Sequence, residues 1–414
     1  DRTILVRGNR IESVRPAREA VAAGAREYDV RGKFVIPGLW DMHVHNDVPG
    51  GRALLALYVA HGVTGVRDMN GRLEALRGWQ REIAAGAVVG PRMVISGPYV
   101  AGGRVPLPHV LARTAEDGIA AVDSLIRLGV DFIKVHNAVP PATFFAVARA
   151  ARERGVVFAG HVFPPVTPLQ ASDSGQRSQE HLSSFPNECT AQDSVMFAAA
   201  IPLQRFLLGT CTREPQAPIY ARIARNNTWI TPTLTVQVPL VDMKAPAAPG
   251  SETASYYSDS LLALMRLVMP LPTNVPPAAL EAGRAMFAKR VAMVGAMRRE
   301  GIAILAGTDS PIAPSPPGLA LHDELELLVK GGLTPLDALR SATIEPARYF
   351  AATDSLGSVA PGNVADLIVL DADPTADIRN TRRIHLVMAN GALFDSAGRA
   401  AIIADVKRMA APKP

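Results

Sequence analysis

The sequence predicts an α/β fold: a TIM-type (β/α)8 barrel with a small composite β-sandwich domain formed by both chain ends. Three observations carry this expectation. Eight short apolar runs recur along the middle of the chain, helical-period stretches separate most of them, and both ends carry short β-type runs broken by turns.

The chain has 414 residues, too many for one small domain and suited to one large barrel with an accessory domain. Near the start, Ile4-Leu5-Val6 and Ile11-Glu12-Ser13-Val14 flank the turn residues Gly8-Asn9. Near the end, Ala365 to Leu370 and Ile384 to Met388 read the same way. Residues 1–36 and 357–414 are therefore assigned to the β-sandwich, and 37–356 to the barrel.

The eight barrel runs are Val35–Trp40, Gly65–Asp68, Met93–Ser96, Phe132–Val135, Val156–His161, Ser178–Leu182, Trp229–Thr233 and Ile302–Thr308. Helical spacing appears over Leu73–Ala85, Ala115–Leu128, Pro141–Arg154 and Leu319–Val329. A doubly wound sheet is the competing architecture, but it does not need eight strands. A Pro-, Ala- and Ser-rich insertion at about 237–285 follows the seventh run, which places it over the barrel mouth as a lid or specificity loop.

Apolar residues make up 48% of the chain, enough for a large core. No apolar run reaches the roughly 18 residues of a transmembrane helix. Net charge is +5, with no basic run and no basic residues interleaved with aromatics. The expected partner is a small-molecule substrate, not a nucleic acid or a membrane, and a homo-oligomer stays open. Cys189 and Cys211 form no CxxC pair, and a disulfide or two free thiols fit them equally. Asp1 reads as the middle of a strand-rich region, so the natural start is expected further upstream, and cytoplasmic and exported locations both stay open.

Chemistry concentrates where the apolar runs end. In a TIM barrel, catalytic groups sit at the C-terminal ends of the strands. His43 and His45 follow the first run, and their i, i+2 spacing points both rings inward. Lys134 ends the fourth, His161 the fifth, His181 the sixth, and Asp309 the eighth. Alone, His161 reads as a core histidine and Asp309 as a helix cap. Scattered packing histidines would not choose strand ends, however. Imidazole and carboxylate are ligands that Zn²⁺ favours. A lysine amine beside metal cations is unfavourable unless its chemistry changes. Reaction with CO2 would turn Lys134 into an anionic carbamate able to bridge two metals.

These stretches resemble the amidohydrolase superfamily in its binuclear, carboxylated-lysine subtype, and in particular its imidazolonepropionase-like and prolidase-like branch. The matching segments are Val35 to His45, Gly62 to Asp68, Phe132 to Val135, Gly160-His161-Val162, Gln179 to Leu182, Ala306 to Asp309 and Pro361 to Leu367. The resemblance implies two divalent metals, Zn²⁺ first among them. His43, His45 and Asp309 would hold the more buried one, His161 and His181 the more exposed one, and carbamylated Lys134 would bridge them. It also implies proton transfer by Asp309.

His136, two residues beyond Lys134, is expected to bind a substrate carbonyl or carboxylate. Tyr99 and Arg104 are expected in a loop near the site as substrate-binding residues, the Arg104 guanidinium suited to a substrate carboxylate. Relatives often have Gly-Gly-His where this chain has Gly102-Gly103-Arg104, which puts the usual contact in doubt. His322 opens the helix after the eighth run and is placed at the pocket. The expected function is metal-dependent hydrolysis of an amide or peptide bond in a dipeptide or N-acyl amino acid, through a metal-bridging hydroxide. A cyclic-amide hydrolase or deaminase, an esterase or lactonase, and a metal-free scaffold are the alternatives. Mononuclear deaminases carry HxxE at the strand-five histidine, whereas Val162-Phe163-Pro164 follow His161 here.

Overall fold

The computed structural model describes residues 2–17, 24–242, 251–312 and 316–411. Seven parallel strands form most of a ring. They are β1 (Leu39–Val44), β2 (Val63–Asp68), β3 (Arg92–Ile95), β4 (Ile133–Val135), β5 (Phe158–Gly160), β6 (Ser178–Glu180) and β7 (Trp229–Thr231). Ladders join β1 to β2 to β3, and β4 to β5 to β6 to β7. The seam between β3 and β4 is held by the Asp131 N–H donating to Ile95 O at 2.9 Å. A short strand, Tyr99–Ala101, continues beyond β3 and pairs with β4 at Val100 and Val135.

Residues 302–310 close the ring. Ile304 bridges to Ile230 of β7 and Ser310 to Val44 of β1, both parallel. The eighth run expected from the sequence is thus present, but as bridges and not as a regular strand. Helices over Leu73–Ala84, Ala115–Arg127, Pro141–Glu153 and Leu319–Lys330 match the helical-period stretches to within a residue. Thr114 starts one of them with a reciprocal capping box to Asp117.

The first apolar run is split between two sheets. Phe34–Pro37 pairs antiparallel with Leu367–Leu370 outside the ring, while Leu39 begins β1. Gly38 is the crossing point. A Cβ there would lie 2.0 Å from Thr64 Oγ1, so only glycine lets the chain pass that close. Leu367–Leu370 also pairs with Ile384–Ala389, which pairs with Ala392–Phe394. The hairpin of Arg2–Arg7 and Arg10–Pro16 shares an apolar cluster with this sheet: Ile11 and Val6 pack with Ala365, Leu367 and Val35. The chain then ends in a helix, Ser396–Ala410, which the strand-like reading of residues 357–414 did not anticipate. Asp395 caps it by accepting from the Gly398 N–H at 2.8 Å, and Arg399 ties it to Ala60 O of the first barrel helix at 2.7 Å.

In its described part the insertion after β7 carries several helices joined by irregular stretches such as 269–276. Residues 243–250 of it lie outside the described residues. Its helix Asp259–Val268 packs Leu261 and Met265 with Val48, just past His45, and with Leu54 and Leu57 of the first barrel helix.

Candidate metal centre

Strand alternation puts Asp41, His43 and His45 on one side of β1 and its extension. Asp41 turns to the closing segment. It accepts from the backbone N–H groups of His43 (3.2 Å) and Thr308 (3.1 Å) and from the Thr308 hydroxyl (2.6 Å). This carboxylate therefore ties the strand carrying His43 to the segment carrying Asp309. Asp309 also donates its own N–H to His43 O at 2.7 Å. Both Asp309 (φ 61°) and His181 (φ 69°) hold left-handed backbone. That conformation costs a non-glycine residue about 1–2 kcal/mol, and such strain gathers at functional sites.

Three imidazoles are oriented through Nδ1. His43 Nδ1 donates to Glu180 Oε2 at 2.8 Å, and His161 Nδ1 donates to Asn137 Oδ1. His181 Nδ1 donates to Thr233 Oγ1 at 2.6 Å, because the Thr233 hydroxyl proton is already given to Pro232 O at 2.8 Å. Each ring is left with its lone pair on Nε2, the form a metal takes. The ligand atoms of His43, His161 and His181 lie within 4.8 Å of one another, as do those of His43, His45 and Asp309. Here His43 belongs to both groups, whereas the resemblance divides the histidines between two positions.

Electrostatics favours the neutral rings. Burial, then the Lys134 amine, pushes His43 and His161 well below the ordinary histidine range. Burial brings His181 down to about 4 although Asp309 opposes it. Burial raises Asp309, but the hydrogen bond from His45 Nε2 (2.9 Å) and the nearby His181 and Lys134 outweigh it and hold the carboxyl below its usual value. Lys134 Nζ is buried with no hydrogen-bond partner among the described residues, and burial lowers it to about 8 despite Glu180 and Asp309. His45 Nδ1 likewise has no partner among the described residues. Neutral imidazoles, an ionised carboxylate and orphaned buried nitrogens form a donor set that fits divalent metal.

Beneath this set lies a charged layer to which the sequence reading gave no role. Arg67, fully buried on β2, donates to Met42 O (2.7 Å), Ser178 Oγ (2.8 Å), Thr231 Oγ1 (3.2 Å) and both oxygens of Glu180 (3.0 and 3.1 Å). Glu180 in turn orients His43. Two signals were readable in retrospect: an arginine inside an apolar strand, and a carboxylate directly before a candidate ligand histidine.

The other expected residues divide. His136 joins the centre, its ring 4.5 Å from that of His161, and Tyr99 stacks on it at 4.2 Å and 8°. Tyr99 is buried in the short strand Tyr99–Ala101, not in a loop. Arg104 is exposed in the stretch that follows. His322 does not reach the centre. Both its ring nitrogens are used in the core, one at 2.9 Å from Thr381 Oγ1 beside the terminal sheet and the other at 2.9 Å from His61 O at the end of the first barrel helix. Cys189 and Cys211 are disulfide-bonded, with Cα atoms 5.5 Å apart.

Comparison with known proteins agrees with this architecture. The amidohydrolase family model matches residues 34–393. An imidazolonepropionase of Cereibacter sphaeroides is 25% identical over 392 residues, covering 91% of this chain and 90% of that protein. Adenine deaminase 2 of Jannaschia sp. is 37% identical over 79 residues, which is 19% of this chain and only 12% of that protein. Among solved structures, bottromycin amidohydrolase superposes with a TM-score of 0.75 at 23% identity, covering 100% of this chain and 87% of that one. A structure described as a putative prolidase from Bifidobacterium longum gives 0.69 at 24% identity, covering 98% and 94%. At these identities the structural likeness shows a shared TIM-barrel-type fold. The chain belongs to the amidohydrolase family.

Proposed function

We propose that this chain is a metal-dependent hydrolase cleaving an amide or peptide bond in a small substrate such as a dipeptide or N-acyl amino acid. The observation that carries the reading is the convergence of three Nδ1-anchored imidazoles, one ionised carboxylate and the orphaned Lys134 amine on one rim. His43, His45 and Asp309 would hold one divalent metal, Zn²⁺ by donor type, and His161 and His181 a second. Lys134 would bridge them as a carbamate. An amine brought down to about 8 is partly neutral at physiological pH, and only the neutral amine adds CO2, releasing one proton.

When bound, a metal pair supplies an acidified water and polarises a carbonyl. The residues of the chain do the rest. Asp309, ionised and facing the ligands, takes the proton of the attacking water and returns it to the leaving amine. His136, whose Nδ1 has no partner among the described residues, and Tyr99 stand beside the centre to receive a substrate carbonyl or carboxylate. The hairpin and the terminal sheet, which share one apolar cluster, are read as one composite domain of both chain ends. The Cys189–Cys211 disulfide supports an oxidising compartment.

The test is metal analysis followed by a hydrolysis screen of dipeptides and N-acyl amino acids. Close to two metals per chain and turnover of at least one amide are expected. Lys134→Ala should lose most of that activity, with partial rescue by short carboxylic acids. A folded, pure protein that takes up no metal would refute the reading. Cyclic-amide opening is the second reading, favoured by the near full-length imidazolonepropionase relative. It predicts turnover of a cyclic amide and none of the linear ones.

A further inference from the structure

A row of aromatic rings runs from inside the barrel, past the candidate ligands, to the surface. Tyr99 stacks on His136, and His136 lies beside His161. His161 meets Phe163 edge-on, with centroids 5.8 Å apart and planes at 63°. Phe163 then stacks on Phe206 at 5.1 Å and 11°. Phe206 ends the row and is 50% exposed.

The exposure is built in. Phe206 sits on the helix Pro202–Leu208, inside the loop closed by the Cys189–Cys211 disulfide. Asn187 Nδ2 (2.8 Å) and Arg290 Nε (2.6 Å) both donate to Leu208 O at the end of that helix. Arg290 also donates to Leu182 O, directly after His181, at 2.6 Å. The segment carrying Phe206 is therefore fixed to the end of β6, and the ring is presented and not merely left out. Along the same row, His136 Nδ1 is buried with no hydrogen-bond partner among the described residues.

We propose that Phe163 and Phe206 form a subsite for an apolar, planar substituent carried by the amide substrate, on the His161–His181 side of the centre. The proposal rests on the amide-hydrolase reading and names the class of substrate. Aromatic faces favour an offset-stacked third ring, and covering the open face of Phe206 removes apolar surface from water. A glycine-like or charged substituent would leave that face wet. The expected preference for a phenyl over a hydrogen at this position is about tenfold or more, the range seen when apolar groups fill a pocket.

The experiment uses the metal-loaded protein with two non-hydrolysable probes, methylphosphonyl-L-phenylalanine and methylphosphonyl-glycine. Kd is measured for each by calorimetry, and kcat/KM for the matching N-acetyl amino acids. The wild type should favour the phenylalanine member by about tenfold in both readouts. Phe206→Ser should cut that ratio about tenfold, and Phe163→Leu should lower it in part. Circular dichroism and metal content confirm that each variant is folded and loaded. A ratio near one in the wild type, or an unchanged ratio in Phe206→Ser, would overturn the subsite. A binding preference that depends on Phe206 while no amide is cleaved would leave the subsite standing and overturn the hydrolase reading.

Discussion

The two sides of the centre are held by different kinds of partner. On the β1 side, a buried ion pair and a buried carboxyl group do the holding. His43 leans on the Glu180 carboxylate, which Arg67 neutralises, and Asp41 clamps β1 to the closing segment. On the β5–β7 side, neutral groups do it. Asn137 orients His161 and Thr233 orients His181, with a disulfide-tied segment beyond them. Removing one member of a buried charge pair leaves the other uncompensated, whereas losing a neutral acceptor costs about one hydrogen bond. The first side should therefore fail as a unit and the second should yield by degrees.

Glu180→Ala would break this contrast most sharply. Arg67 would be left buried without a counter-charge, and destabilisation of about 3–5 kcal/mol is expected, read as a lower urea midpoint. Metal content should fall with it. If Glu180→Ala and Thr233→Val unfold at the same urea concentration, the distinction between charged and neutral holding is lost.

The double variant Cys189→Ser with Cys211→Ser probes the outer wall. A bridge spanning 22 residues should contribute about 2–4 kcal/mol. The loss should stay local, with metal content kept, so hydrogen exchange should rise over 187–212 and not in β1.

Thr233→Val should cost only about 1 kcal/mol in stability. Its larger effect is on metal affinity. Freed of its Nδ1 partner, His181 should bind about 10–100-fold more weakly, as measured by chelator competition.

The smallest effect expected is a change in pH dependence. Glu324 accepts from the Leu234 (3.0 Å) and Thr235 (2.8 Å) N–H groups just past β7, yet burial lifts its carboxyl to about 8. A raised folded pKa contributes stability that is full below the unfolded value and fades as pH rises through the folded one. Between about pH 5 and pH 8, wild-type stability should therefore fall relative to Glu324→Gln. Parallel urea midpoints across that range would show that the two N–H groups already keep Glu324 ionised.

Much of the centre was legible because strand geometry is local. Alternation places His43 and His45 together whatever lies across the barrel, and the strand-end rule places Lys134, His161, His181 and Asp309 on the same rim. The helices were legible for the same reason, through apolar spacing over a few turns. His322 misled because the start of the helix after the eighth run was read as lining the pocket, while that helix carries its ring to Thr381 beside the terminal sheet.

What the amino-acid order determined by itself is therefore the barrel's periodic elements and the identity of the six groups on its rim. The tertiary structure alone decided how those groups are held. Arg67 and Glu180 are 113 residues apart and meet only when the ring closes. Cys189 pairs with Cys211, and Phe206 reaches Phe163, only once the segment after β6 folds back. A repeating pattern fixes which way a side chain points along its own strand. Which charge, thiol or ring it meets depends on distant segments brought together by closing the barrel, and no local periodicity encodes that.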